Sequence, residues 1–193
     1  MKSNDIGNPI FTQLQLETER CIIRPYKEED LYELFQVVSD ANFYDYIPEV
    51  APSLQEVEGI IKWSIQCNQK NRLDKIYKLN LAIVHKELGK VIGFCGLGPY
   101  DIDASKVEVY YGVGKEFRGR GIATEATRAV LQYGFKTLKL DEIVTTVFPE
   151  NRSSVAILHK LGMKYQYTLQ NLSDEYKEFE GYDYYTLTGK EYK

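Results

Sequence analysis

The segment from Glu116 to Ala126, Glu-Phe-Arg-Gly-Arg-Gly-Ile-Ala-Thr-Glu-Ala, constrains this chain more than any other stretch. Ahead of it, Val107 to Val113 is rich in β-branched and aromatic residues and reads as a strand. Behind it, Ile122, Ala126, Ala129, Val130 and Tyr133 recur at helical spacing. The glycines remove side chains where the backbone must turn sharply and approach something closely. A helix opening there has unpaired N–H groups in its first turn, at the positive end of its dipole. Strand, glycine turn and helix N-terminus together form an anion site suited to phosphate.

The rest of the chain alternates element types without an obvious linker. Cys21 to Pro25 reads as a strand stopped by proline, and a helix follows from Glu28 to Ser39 with Leu31, Leu34, Phe35 and Val38 on one face. Ser53 and Glu56 have capping-box spacing at the start of a second helix that runs to Asn71. Strands are expected over Tyr77 to Lys86 and Val91 to Leu97, making an antiparallel meander with the strand that carries Glu108. Glu142 to Phe148 is a further strand, and Asn151 to Leu161 a short helix closed by Gly162. Met163 to Leu169 and Tyr182 to Leu187 finish as strands around an acidic loop. The order β-α-α-β-β-β-α-β-α-β-β predicts a mixed α/β (α+β) sheet of about seven strands. It also predicts one domain over residues 1–193, with its core at about 17–191.

Composition excludes several classes. The 193 residues carry a formal charge of −4, which argues against a nucleic-acid partner held by a broad basic surface. Cys21, Cys67 and Cys95 are odd in number and far apart, suiting a reducing, cytoplasmic setting over a disulfide framework. No apolar run from Met1 to Gln15 would serve as a signal peptide, and no later run reaches the length of a membrane span. Neither a metal cluster with ligand spacing nor a Gly-x-Ser-x-Gly elbow is present.

Three uses of the glycine turn compete. A Walker loop needs Gly-x-x-x-x-Gly-Lys-Ser/Thr, which the chain lacks. A dinucleotide fold wants an acidic residue about 20 positions on, at the end of the next strand; here that strand ends near Phe148, with Glu150 a poor candidate. Arg118-Gly119-Arg120-Gly121-Ile122-Ala123 instead satisfies Arg/Gln-x-x-Gly-x-Gly/Ala, the pyrophosphate motif of the GCN5-related N-acetyltransferases. The order of elements is similar to that family too. Ala123-Thr124-Glu125-Ala126, the opening Glu17 to Pro25, and Asn151 to Met163 resemble the branch of ribosomal-protein N-terminal (RimJ/RimL-type) acetyltransferases. Met163 departs mildly, standing where that branch has an aromatic residue.

The resemblance implies a sheet splayed between its two middle strands, acetyl-coenzyme A as co-substrate, and transfer to a primary amine. Backbone N–H groups from Gly119, Arg120, Gly121, Ile122, Ala123 and Thr124 would hold the pyrophosphate, with Arg118 and Arg120 adding charge-assisted contacts. A bulge near Val113 is implied, its N–H serving as donor to the thioester carbonyl. Asn151 would both cap its helix and contact the cofactor. Ser154 would bind there and protonate the departing thiolate. Other branches use a Tyr at the position of Leu158, and leucine cannot do this.

Glu108 is the candidate general base. It interrupts an otherwise apolar and aromatic strand, on the face opposite Val107, Val109 and Val113. The acceptor side would be lined by Asp40 to Tyr46 and by Ser173 to Tyr185, the latter carrying Asp174, Glu175, Glu178, Glu180 and Asp183. Aromatics mixed with carboxylates suit a cationic amine, on a small molecule or a protein N-terminus. No nucleic acid or membrane partner is expected, and a homodimer stays open. The competing function is a non-catalytic module of the same fold that binds a coenzyme A-type nucleotide or a protein.

Overall fold

The computed structural model describes residues 7–192, so the expectations for residues 1–6 and 193 lie outside it. Strands β1 (Leu16–Glu17), β2 (Cys21–Pro25), β3 (Leu79–His85), β4 (Lys90–Pro99), β5 (Val107–Val113), β6 (Glu142–Val147), β7 (Lys164–Thr168) and β8 (Asp183–Thr188) form one sheet. Its order is β1-β2-β3-β4-β5-β6-β8-β7. Every neighbouring pair is antiparallel except β5 and β6, which are parallel. The helices are α1 (Pro9–Thr12), α2 (Leu31–Val38), α3 (Leu54–Lys70), α4 (Ile122–Lys136) and α5 (Arg152–Leu161).

Eight strands replace the seven expected. The extra one is the two-residue β1, too short to carry a periodic signal. Packing also begins before residue 17. Asn8 caps α1 by accepting from the Ile10 N–H, Pro9 stands at its first position, and Phe11 is fully buried. The Tyr133 hydroxyl donates to the Ile10 carbonyl at 2.7 Å and ties this turn to α4.

Local chemistry explains the longer helices. Ser53 and Glu56 form the expected box, with the Ser53 N–H donating to Glu56 Oε2 at 2.7 Å and the Glu56 N–H to Ser53 Oγ at 3.3 Å. Gly162, at φ +81°, ends α5 in the left-handed region. The helix expected from Glu28 opens instead on a 3-10 turn over Glu28–Asp30. There the Asp30 carboxylate takes both guanidinium arms of Arg24, each at 2.8 Å, and the Lys27 N–H.

Each sheet face has its own core. On one, Ile23, Leu81, Ile83, Leu97 and Val109 pack with Ala126, Val130 and Leu131 of α4 and Leu158 of α5. On the other, Ala82, Val84 and Val91 pack with Leu34, Val37 and Val38 of α2 and with Val57 and Ile61 of α3. A parallel pair requires a crossover, and α4 supplies it between β5 and β6. Both strands therefore end at the same edge of the sheet, where α4 and then α5 begin. In α/β sheets the crevice beyond the carboxyl ends of parallel strands is where ligands bind.

Missing side chains shape the α2/α3 face. A Cβ on Gly96 would overlap the Leu79 carbonyl and the Tyr110 hydroxyl; one on Gly112 would overlap the Phe43 ring. Gly96→Ala should therefore destabilise the protein by about 2 kcal/mol, since backbone has to move. Gly59, within α3, has nothing within 4 Å of such an atom. Gly59→Ala should stabilise by about 0.5–1 kcal/mol. Urea unfolding of the two variants checks both signs.

Candidate functional site

After β5 the chain passes through a 3-10 turn at Lys115–Phe117 and reaches Gly119 and Gly121, at φ +73° and +79°. L-residues with side chains rarely adopt that conformation, so the turn requires glycine at both positions. Gly121 is the N-cap of α4, and no side chain caps the helix. The first N–H of the segment to be used is that of Glu125, which donates to the Gly121 carbonyl at 3.0 Å. Among the described residues, the N–H groups from Gly119 to Thr124 meet no acceptor. Ile122 and Ala123 bury their side chains, so they can offer a ligand only their backbone. A groove of about 460 Å³ runs from Gly121 along α4, past Thr124, Arg128 and Gln132.

The irregularity expected near Val113 lies in the neighbouring strand. β4 and β5 pair in unbroken register from Pro99↔Val107 to Gly93↔Val113, whereas Ile83↔Gly93 is followed by Val84↔Val91, which leaves Ile92 of β4 as an extra residue beside the Gly93↔Val113 pair. Alternation of the antiparallel ladder frees Val113 without a bulge in β5 itself. The Gly114 N–H donates to the Ile92 carbonyl at 2.9 Å, so the next pair, Val113 and Gly93, is a non-hydrogen-bonded one. The Val113 N–H therefore points away from β4, toward the β6 edge. β5 and β6 are bridged only at Glu108↔Val144, so that N–H lies beyond their junction.

Arg118 takes a contact different from the one expected. Its Nε donates to the Val113 carbonyl at 3.3 Å, and its guanidinium carbon lies 5.5 Å from the centre of the Phe43 ring. Arg120 is exposed. A third arginine, Arg20, reaches the turn from the segment before β2. Its Nη1 donates to the Arg120 carbonyl at 2.8 Å, and its N–H and Nε donate to the two Glu125 oxygens at 2.8 and 2.7 Å.

At the neighbouring helix start, Asn151 Oδ1 accepts from the Ser154 N–H at 3.1 Å and from Ser153 Oγ at 2.9 Å. Capping thus uses the carboxamide oxygen and leaves its NH₂ available. Ser154 is half-buried. Its carbonyl accepts from the Tyr111 hydroxyl at 3.4 Å, which joins the start of α5 to β5. Leu158, one turn on, is buried. His159 is exposed and packs edge-on to Tyr185.

Glu108 projects from the opposite face, with Tyr110 and Gly112. Burial pushes its carboxyl up to about 7; Lys78 pulls back, Asp101 raises it further, and the Thr146 backbone holds it down. The Thr146 N–H of β6 donates to Glu108 Oε1 at 3.4 Å, so the carboxylate sits astride the junction of the two strands. Nearby, the Tyr100 hydroxyl is buried and has no partner among the described residues. Burial also raises its pKa.

The two segments expected on the acceptor side do meet. The Tyr182 hydroxyl donates to the Tyr46 carbonyl at 3.0 Å, and the Tyr46 ring stacks on Phe148, which packs on Tyr182. Two of the five carboxylates are occupied. Glu180 accepts from the Asn171 and Leu172 N–H groups and from Lys177, and Asp183 accepts from Thr168 Oγ1 at 2.7 Å. Asp174, Glu175 and Glu178 are exposed.

Comparison with known proteins identifies the frame around this geometry. Residues 20–164 match the family model described as an acetyltransferase (GNAT) domain. The N-acetyltransferase p20 of Bacillus licheniformis is 31% identical over 154 residues, covering 77% of this chain and 82% of that protein. The spermidine N(1)-acetyltransferase of Escherichia coli is 25% identical over 141 residues, covering 72% and 70%. The crystal structure of a GNAT-family acetyltransferase from Bacillus anthracis superposes with a TM-score of 0.75 at 23% identity, over 92% of this chain and all of that one. The chain belongs to the GNAT acetyltransferase family, whose enzymes use acetyl-coenzyme A as acyl donor.

Proposed function

We propose that the turn from Arg118 to Thr124 holds the pyrophosphate of acetyl-coenzyme A, and that a primary amine is acetylated where β5 and β6 part. One observation carries this reading. The acceptor-free N–H groups of Gly119 to Thr124, the outward Val113 N–H, and Asn151 with Ser154 all lie at the carboxyl ends of the same two parallel strands. A row of backbone donors around two left-handed glycines fits a diphosphate. The free Asn151 NH₂ adds a donor beside it.

Bound there, acetyl-coenzyme A supplies an activated thioester. The Val113 N–H donates to its carbonyl oxygen and strengthens that bond as negative charge develops; such donors contribute ~3 kcal/mol. Arg118, by holding the Val113 carbonyl, keeps the end of β5 in place. Glu108 accepts the ammonium proton of the acceptor, directly or through water, from the α2/α3 face. Ser154, at the start of α5 on the other face, donates to the departing sulfur. Proton uptake and release thus occur on opposite sides of the sheet.

Tyr46, Phe148 and Tyr182 form the acceptor wall, with exposed Asp174, Glu175 and Glu178 at its rim. This suits a cationic amine on a small molecule or a protein N-terminus, as in the RimJ/RimL-type branch that the sequence resembles. The free, buried cysteines support a reducing, cytoplasmic setting, and we read the chain as one catalytic domain.

Gly121→Glu should weaken acetyl-coenzyme A binding about 100-fold or more, because it sets a carboxylate against the pyrophosphate. Unchanged affinity by titration calorimetry would refute the assignment. In the wild type, kcat/KM should rise with pH to a plateau above about 7, as Glu108 ionises. Glu108→Gln should remove that limb and lower turnover roughly 100-fold; identical pH profiles would exclude Glu108 as base. The same pKa has a stability consequence. Raised from its ordinary 4.5 to about 7, it means that the fold favours the protonated acid. Wild type should therefore lose stability relative to Glu108→Gln as pH rises from 4.5 through 7. Denaturant unfolding at pH 5 and pH 8 measures the difference.

A further inference from the structure

We infer that Arg20 is a positioning residue for the diphosphate, aiming the Gly121 N–H through the Arg120–Gly121 peptide, an inference that rests on the assignment of the turn proposed above. Arg20 immediately precedes β2, remote from the glycine turn in sequence, and reaches the turn with both backbone and guanidinium donors. Its backbone N–H and Nε bind the two Glu125 oxygens at 2.8 and 2.7 Å, and Nη2 lies 2.6 Å from Glu125 Oε2. Its Nη1 donates to the Arg120 carbonyl at 2.8 Å.

The consequence follows from the planarity of the peptide. The C=O of Arg120 and the N–H of Gly121 belong to one trans unit and point in opposite directions. Fixing the carbonyl on Arg20 turns that N–H to the opposite side of the peptide, away from Arg20. Gly121, on one side of that peptide, is in the left-handed conformation and has no side chain to hinder its rotation, so the Arg20 hydrogen bond is what fixes it.

Charge adds a second effect. Glu125 stands in the first turn of α4, where a carboxylate suits the helix dipole but repels a bound anion. Hydrogen bonds to Arg20 hold that charge in place and compensate it. The side chain of Glu125 is only 17% exposed, so water screens it poorly. Lysine keeps the backbone N–H to Glu125 Oε1, but its single ammonium lacks the planar fork whose Nε and Nη2 bind Glu125 Oε2 while Nη1 binds the Arg120 carbonyl.

The test compares acetyl-coenzyme A with a donor that lacks the 3′-phospho-ADP portion, the diphosphate included. Affinities for acetyl-coenzyme A, by calorimetry, and for S-acetylpantetheine, by competition, are measured on the full chain for wild type, Arg20→Ala and Arg20→Lys. In Arg20→Ala the ratio of the two affinities should fall roughly tenfold or more. Arg20→Lys should show a smaller fall in the same direction. A fall seen with acetyl-coenzyme A and equally with acetyl-dephospho-coenzyme A, which keeps the diphosphate but lacks the 3′-phosphate, supports positioning of the diphosphate; a fall absent from the dephospho donor would overturn it. Equal losses on both donors would overturn the inference, since they would report general damage to the fold. A wild-type ratio near one would instead overturn the underlying assignment of the turn, independently of Arg20.

Discussion

The single bridge between β5 and β6 is the constraint on which the rest of the site depends. Elsewhere in the sheet adjacent strands share longer ladders; here Glu108↔Val144 is the one paired position. Past it the strands diverge, so backbone groups that a continuous sheet would consume face an opening. The arrangement needs no bulge in β5. Its register with β4 is regular, and the alternation of the antiparallel ladder alone delivers the Val113 N–H to the open side. The parallel direction of the pair then brings the starts of α4 and α5 to the same edge.

This topology separates two electrostatic tasks. The α4/α5 side offers helix N-termini and backbone donors, which suit phosphate and a departing thiolate. The α2/α3 side offers a half-buried carboxylate whose proton affinity is raised into the neutral range, within a partly aromatic surround. Glu108 touches both sides of the junction, because its carboxylate accepts from the Thr146 N–H of β6. A base at the junction can reach an amine arriving from one face while the donor enters from the other.

Much of this was legible in the residues. The glycine turn, the Ser53 capping box, the Gly162 stop and the face of Glu108 all rest on local rules, and the structure has each of them. What was missed involves partners remote in sequence or signals too short to register. β1 spans two residues and α1 four. Arg20 and Glu125 meet across 105 positions, and only their opposite charges within two resembling motifs hinted at the contact. Arg118, read by position as a phosphate ligand, also touches the end of β5 and Phe43, contacts that spacing alone does not show. Glu180 looked like part of an acidic wall, whereas two loop N–H groups and Lys177 claim it. Tyr111 and Tyr100 gave no signal in a chain with 16 tyrosines.

The assignment proposed for the site rests on backbone donors at the end of β5 and the start of α4 taking up the donor substrate. Amide hydrogen exchange, followed residue by residue with and without acetyl-coenzyme A, tests it most directly. Binding should bring new protection at Val113 and from Gly119 to Thr124, with little change in the N–H groups of β2 and β3. Unchanged exchange at these amides under saturating acetyl-coenzyme A would contradict it.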